Sequence, residues 1–351
     1  MSTSQSKQAR TILVTGGAGF IGSNFVRFVL QQRPDWRVVN FDALTYAGNL
    51  ANLRDVEDDA RYVFIHADIR DRQAVSRALE EHECDSIAHF AAESHVDRSI
   101  IDSGPFVSTN VLGTQVMLDA AREYWGKKHG HAAPPPRFVH VGTDEVYGEL
   151  PLDRPDLKFT EETPLQPSSP YSSTKAAADM LALAYHHTFK MPVMVTRCSN
   201  NFGPYQYPEK VIPLFVTNLF DGKKVPLYGD GKNVRDWLHV IDHCEAVLAV
   251  LERGTPGEVY NIGGNNERSN NELTRMILKC TGHGEEMIQP VPDRLGHDRR
   301  YAIDASRIKR DLGWVPTRSA WPNALQETVT WYNANEEWWR PLKCAHAKAG
   351  V

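Results

Sequence analysis

Apolar residues in the first two thirds of the chain fall into short runs bounded by turn residues. Between these runs lie longer stretches in which apolar positions recur every three or four residues. The runs are TILVT at 11–15, WRVVNFD at 36–42, RYVFIHAD at 61–68, SIAHFAA at 86–92 and RFVHVG at 137–142. The stretches are FIGSNFVRFVLQQ at 20–32 and the segments near 71–82 and 108–124. Short buried runs alternating with amphipathic stretches predict strand–helix–strand units, hence a mostly parallel sheet covered by helices. The alanine-rich segment 172–189 predicts one more helix, and PVMVTR at 192–197 another buried strand of the same sheet. The pattern implies an α/β fold: a doubly wound, mostly parallel sheet of Rossmann type with a smaller C-terminal α/β lobe.

From about Asn200 the texture changes, because Gly or Pro at 203, 204, 208, 213, 222, 226, 229 and 231 breaks the chain into short elements. We therefore place a first domain at 1–199 and a substrate-facing lobe at 200–351. The segment near 238–262, helical around 242–253, is expected to return to the first domain. Trp331, Trp338 and Trp339 cluster near the C-terminus and read as core packing or a lid.

A net charge of −5 argues against non-specific binding to nucleic acid. Cys84, Cys198, Cys244, Cys280 and Cys344 are odd in number and widely spaced, as for reduced thiols in the cytoplasm. The first ten residues are polar and the apolar stretch 12–14 is short, so neither a secretion signal nor a membrane span is expected. His129 and His131 stand in KKHGHAAPPP, a composition that suits a solvated loop better than a metal site, and no metal is expected.

The string TILVTGGAGFIG at 11–22 is a strand, a glycine turn and the start of a helix. Gly17, Gly19 and Gly22 fit G-x-G-x-x-G, and Gly16, Gly19 and Gly22 fit G-x-x-G-x-x-G. Lacking Cβ atoms, such residues permit a tight turn and the approach of a pyrophosphate to the helix N-terminus. Asp42 lies twenty residues beyond Gly22 at the end of the next strand, where a carboxylate accepts hydrogen bonds from an adenosine ribose and repels a 2′-phosphate. NAD is thus favoured over NADP. Asp68, ending the third strand, is placed to meet the adenine edge, although an aspartate there also commonly caps the next helix.

Tyr171 and Lys175 form Y-x-x-x-K at the opening of a helix, one turn apart on one face. A lysine cation beside a phenol is expected to lower the tyrosine pKa and make it a usable base. Joined to the glycine turn, this pattern resembles the extended short-chain dehydrogenase/reductase family, with Thr143 at its catalytic hydroxyl position. Longer strings narrow the resemblance: LTYAGNL at 44–50, HFAAESHVDRSI at 89–100, TDEVYGEL at 143–150, SNNFGPYQYPEKVIP at 199–213, RDWLHVIDH at 235–243, YNIGG at 260–264 and GHDRRYAID at 296–304. Together they resemble the dTDP-glucose 4,6-dehydratase family over nearly the whole chain.

That resemblance implies a lyase. Tyr171 would take the proton of the sugar C4 hydroxyl as hydride passes to NAD. The C4 ketone acidifies C5–H, Glu145 and Asp144 serve as base at C5 and acid at the C6 hydroxyl, and the hydride returns to C6. Carried over by position, Gly16, Gly19, Phe20, Ile21, Gly22, Asp42, Asp68, Ile69, Ala91, Thr109, Tyr171, Lys175 and Asn201 are expected near NAD. Ser94, Asn200, Lys210, Val211, Pro226, Tyr228, Arg235, Asn270, Arg294 and His297 are expected around the nucleotide sugar, with Lys210 and Arg235 suited to its diphosphate. Two positions depart from the family pattern: Gly142 replaces the usual serine before TDE, and Leu295 replaces the usual proline before GH. A homodimer formed through the helices near 108–124 and 172–189 is implied as well. The rival readings are another nucleotide-sugar dehydratase or 4-epimerase of this fold, and a non-catalytic NAD-binding sensor or scaffold.

Overall fold

The computed structural model describes residues 10–128, 135–293 and 296–348. His129, His131, Arg294 and Leu295 therefore lie outside the described residues. A seven-stranded sheet runs in the spatial order Val259–Ile262, Val193–Cys198, Arg137–Thr143, Ser86–His89, Thr11–Thr15, Arg37–Asp42, Tyr62–His66. The pairs from Arg137–Thr143 through to Tyr62–His66 are parallel. Sequence order reverses between Thr11–Thr15 and Ser86–His89, which makes their C-terminal ends the topological switch point of a Rossmann-type sheet. Helices Phe20–Gln32, Arg72–Glu81, Thr114–Lys128 and Pro170–Phe189 supply the helical layers in sequence. Asp71 starts the second of these by accepting from the backbone N–H of Gln73 and Ala74.

The chain folds as two compact units, one of residues up to 142 with 174–196 and 247–259, the other of 143–173, 197–246 and 260 onward. The first has a core of Leu13, Val39, Phe41, Ile87, Leu118, Phe138, Val193 and Val195, all fully buried. The second contains a three-stranded sheet, Glu267–Ser269, Val234–His239 and Asn200–Phe202, and a parallel pair, Ile288–Val291 with Val225–Tyr228. Its core gathers Phe202, Phe215, Trp237, Ile277, Leu325 and Tyr332. Trp339 is buried there, and Trp331 and Trp338 pack against it, so the C-terminal tryptophans are core rather than lid.

The stretch near 108–124 is not one regular helix. Residues Val107–Gly113 form a π-helical turn, and the α-helix proper is Thr114–Lys128. Asn110 accounts for the irregularity: its side chain takes the N–H of Glu93 at 2.8 Å and donates to the Glu93 carbonyl at 3.1 Å, while its own carbonyl receives the Thr114 hydroxyl at 2.6 Å. Such single-turn π segments are frequent at functional sites.

Gly142 has a packing explanation. A Cβ there would lie 2.7 Å from the Thr196 carbonyl oxygen and 2.8 Å from Asp179, a fully buried carboxylate 3.3 Å from His140. Gly142→Ser should therefore lower stability by about 1–3 kcal/mol, the usual cost of overpacking a dense interior. The urea midpoints of the two folded proteins measure it, and equal midpoints would mean that the strand yields without strain.

Candidate active site

In the first unit the strand Thr11–Thr15 runs into the turn Gly16–Gly19, and helix Phe20–Gln32 begins at Gly19. Gly16 has φ 70°, and a Cβ on it would lie 2.7 Å from the backbone nitrogen of Ala91, so only glycine fits where the turn meets the end of the fourth strand. The helix has no side-chain cap and no acidic residue in its first turn, which leaves its positive end unneutralised by the chain's own caps. Residues 44–52 brace the turn from outside, with Asn49 N–H and the Asn52 amide both donating to the Ala18 carbonyl, at 3.0 and 2.8 Å. A cradle that a Cβ would fill, opening onto a helix N-terminus, fits a dinucleotide pyrophosphate.

Asp42 is buried at the end of the second strand and accepts from the N–H groups of Ala18, at 2.9 Å, and Leu44, at 2.8 Å. Burial pushes its carboxyl upward, and these two bonds partly offset the shift. The residue thus fastens the glycine turn. Asp68 is engaged differently from the expectation: Arg70 clamps its carboxylate through Nε and Nη2 and holds it below the usual range. Asp71, not Asp68, caps the following helix. Ile69 is buried, Thr109 lies in the π-helical turn, and the Ala91 N–H donates to the Thr15 hydroxyl at 3.2 Å. Ser94 Oγ lies 3.5 Å from the Tyr46 hydroxyl. Lys175, almost fully buried, donates from Nζ to the Val141 carbonyl at 2.7 Å.

The second unit carries the acid–base group. Strand Arg137–Thr143 ends in a 3₁₀ turn, Asp144–Tyr147, whose start is capped by the Thr143 hydroxyl accepting from the Glu145 N–H at 3.3 Å. Tyr147 anchors the turn by donating to Asn261 at 2.8 Å and accepting from Arg197 at 3.0 Å. Asp144 is buried and its Oδ2 has no hydrogen-bond partner. Burial first, then the charges of Glu145 and Asp236, push its carboxyl well above the ordinary range, with Arg235 opposing. Its surroundings thus favour the protonated form, and it stands beside the partly exposed Glu145.

Tyr171 departs from the expectation of a lowered pKa. Its phenol is pushed well up by burial, then by the charge of Glu145, and a hydrogen bond with Thr143 is the opposing influence. Removal from water outweighs cation proximity here, so the ligand-free phenol is neutral.

Arg235 donates to the Val234 and Asp298 carbonyls, at 2.8 and 2.9 Å, and its guanidinium lies 4.2 Å from the Tyr301 ring centroid. Asn200 has a buried Oδ1 without a partner. Asn201 donates to the Ser199 carbonyl at 2.9 Å and meets His243 at 3.0 Å. Lys210 caps helix Val211–Phe220, of which Val211 is the first residue, and lies 3.8 Å from Glu209. Pro226 and Tyr228 lie on the strand Val225–Tyr228, Asn270 opens the helix Asn270–Thr281, and His297 meets Asp293 at 2.6 Å. Tyr301 and Asp236 were not singled out from the sequence. Tyr301 donates to Asp298 and feels Glu145, while Asp236 accepts from Gly264 and Asn266 N–H at 2.8 and 2.6 Å and acts electrostatically on Asp144. Both stand in strings already noted, GHDRRYAID and RDWLHVIDH, but nothing in periodicity separates them from surface residues.

A family model described as GDP-mannose 4,6 dehydratase matches residues 13–322. The dTDP-glucose 4,6-dehydratase of Streptomyces niveus is 50% identical over 343 residues, covering 97% of each chain. The chain belongs to the dTDP-glucose 4,6-dehydratase family. Two solved members agree in structure as well. The dTDP-glucose 4,6-dehydratase of Bacillus anthracis in complex with NAD is 51% identical with a TM-score of 0.86, over 95% of this chain and 99% of that one. DesIV, the dTDP-glucose 4,6-dehydratase of Streptomyces venezuelae, with NAD and dTDP bound, is 49% identical with a TM-score of 0.88 at the same coverage. Members of this dehydratase family use NAD, and among the described residues of the present one no helix is long and apolar enough to cross a membrane and no His/Cys/Asp/Glu cluster is arranged to hold a metal.

A carboxyl whose folded pKa is raised costs nothing below its unfolded value near pH 4. As pH rises above that value the unfolded chain releases its proton while the folded chain keeps it. Stability therefore falls by about 1.4 kcal/mol per pH unit until the folded pKa is reached. Asp144→Asn removes this cost, so the variant should gain stability over the wild type between pH 5 and pH 7 and show no such trend below pH 4. Parallel denaturation curves across that range measure the difference, and a constant offset would show that Asp144 is ionised in the fold.

Proposed function

We propose that the chain converts dTDP-glucose to dTDP-4-keto-6-deoxyglucose, with NAD restored in every turnover. The observation that carries this reading is Asp144, a buried carboxyl whose Oδ2 has no partner and whose pKa burial pushes well up, next to the partly exposed Glu145. Oxidation at C4 alone needs one base; loss of water across C5 and C6 needs a second base and an acid. Two adjacent carboxyl groups tuned apart by their surroundings are suited to that pair of tasks.

When bound, NAD accepts a hydride from C4 of the sugar and gives it back at C6. Tyr171 takes the C4 hydroxyl proton; Thr143, bonded to its oxygen, favours the phenolate that results. Lys175 is the buried cation of the first unit. Once C4 is a ketone, Glu145 removes the proton from C5, and Asp144 delivers its own proton to the departing C6 hydroxyl. Arg235, with two of its five N–H groups committed to backbone carbonyls, and Lys210 hold the diphosphate oxygens. Glu145 reaches solvent and can exchange the proton it collects, whereas Asp144 is sealed from it. The intact acid–base pair disfavours a 4-epimerase, and Thr143, Tyr171 and Lys175 together disfavour a mere NAD sensor.

The chain acts as a homodimer in the cytoplasm. Exposed apolar residues on the segments expected to pair, Val107 and Leu112 with Met180 and Phe189, support the dimer. The cysteines, free in the structure, suit a reducing compartment.

Three variants separate the steps. Asp144→Asn should slow formation of the 4-keto-6-deoxy sugar by about 10²-fold or more while deuterium still enters C5 in heavy water. Glu145→Gln should suppress both, and Tyr171→Phe should abolish both while leaving NAD bound. If Asp144→Asn and Glu145→Gln each form product at near wild-type rate, the carboxyl pair is a bystander and the dehydratase reading fails.

A further inference from the structure

A continuous buried hydrogen-bond chain runs through the first unit, and none of its central members belongs to the acid–base group. The Ala91 N–H donates to Thr15 Oγ1 at 3.2 Å, Thr15 Oγ1 meets His89 Nδ1 at 2.7 Å, and His89 Nε2 meets Thr114 Oγ1 at 3.0 Å. Thr114 donates to the Asn110 carbonyl at 2.6 Å, and the Asn110 amide donates to Thr174 Oγ1 at 2.9 Å. Thr15, His89, Asn110 and Thr114 are each at most 1% exposed, so water cannot substitute for a missing partner. One end of the chain is the root of the glycine turn, and the other is the neighbour of Lys175 in sequence.

The proton positions follow from counting. Thr114 has one hydroxyl proton, and the Asn110 carbonyl, a pure acceptor, takes it. Thr114 can then only accept from His89, so the imidazole proton sits on Nε2. Nδ1 is left as an acceptor, and Thr15 donates to it while receiving the Ala91 N–H. Every donor has one acceptor, and an imidazolium would break the order by turning two donors onto Thr15. The surroundings agree: burial first, then the charges of His140 and Lys175, hold His89 neutral. The His140 ring lies 5.4 Å away, with Asp179 against its far partner atom at 3.3 Å.

We propose that His89, as its Nε2–H tautomer, is a positioning residue for the cofactor cradle, tying Thr15 and Ala91 at the glycine turn to Asn110 in the π-helical turn and, through it, to the residue beside Lys175. The residue touches no reacting atom. It fixes where the walls of the NAD cradle stand, so its loss weakens NAD binding before it affects any chemical step. This inference rests on the NAD-binding part of the proposed function and not on the dehydratase part.

The test reads cofactor affinity and the imidazole itself. Nitrogen-15 NMR of the wild type should show His89 as an Nε2–H imidazole that does not titrate between pH 5.5 and 8.5, assigned by its displacement in Thr114→Val. Titration of stripped protein with NAD should give a dissociation constant raised about tenfold in Thr114→Val and in His89→Asn, with kcat at saturating NAD lowered much less. His89→Gln, which can still donate from the Nε2 side, should recover part of the loss. An Nδ1–H tautomer, titration within that range, or folded variants that bind NAD as the wild type does would overturn the proposal. Loss of dehydration with NAD affinity intact would instead count against the roles given to Asp144 and Glu145.

Discussion

Carboxyl groups that act on one another resist ionising together, most of all where burial removes water from one of them, and that electrostatic limit governs the second unit. Asp236, equally buried, accepts two backbone N–H bonds that favour its charged form, whereas Asp144 is pushed up by burial first and then by the charges of Glu145 and Asp236. Ionising Asp144 as well would cost several kcal/mol with no bond to Oδ2 in return. The surrounding chain holds it in this state. Tyr147 and Arg197 pin the turn in which it sits, and Thr143 stops the strand immediately before it. A carboxyl that favours its protonated form is thereby produced from an ordinary aspartate, by position alone.

The first unit meets a different constraint, one of space rather than charge. Its glycine turn leaves a gap that a single Cβ would close, and Asp42, Asn49 and Asn52 hold the turn open with four bonds to the turn backbone and its neighbours. Behind the turn, histidines and threonines take the place of aliphatic packing between Thr15 and Thr174. Polar interiors of this kind define one arrangement sharply, since a half-satisfied network is costlier than none.

Much of this was legible in the chain. The strand–helix rhythm and the glycine spacing announced the parallel sheet and its glycine turn, because those features are periodic and local. Asp144 and Glu145 stood out as neighbours at a strand end, but which of them keeps a proton depends on burial, which adjacency in sequence does not encode. The same reason explains Tyr171: Y-x-x-x-K reports a lysine one turn away, whereas the burial of the phenol and the charges of Glu145 and Cys198 that raise its pKa are set by the fold. Asp68 was read for the adenine edge, and the structure adds a clamp by Arg70, two residues on, a local pairing that the strand-end position concealed. The π-helical turn left no trace in the apolar period, since it is set by one side chain, Asn110, bonding to the backbone of Glu93, seventeen residues earlier in the chain.

Asp144 carries one more implication, in optics. A carboxylic acid that keeps its proton absorbs infrared light as a carbonyl, apart from the ionised carboxylates that make up most of the other acidic side chains. The frequency rises as hydrogen bonding to the group weakens. Asp42 and Asp236, two other buried carboxyls, accept two backbone N–H bonds each, whereas Oδ2 of Asp144 accepts none. The chain thus contains its own vibrational label at Asp144, one that needs no dye and that vanishes and returns with a single proton.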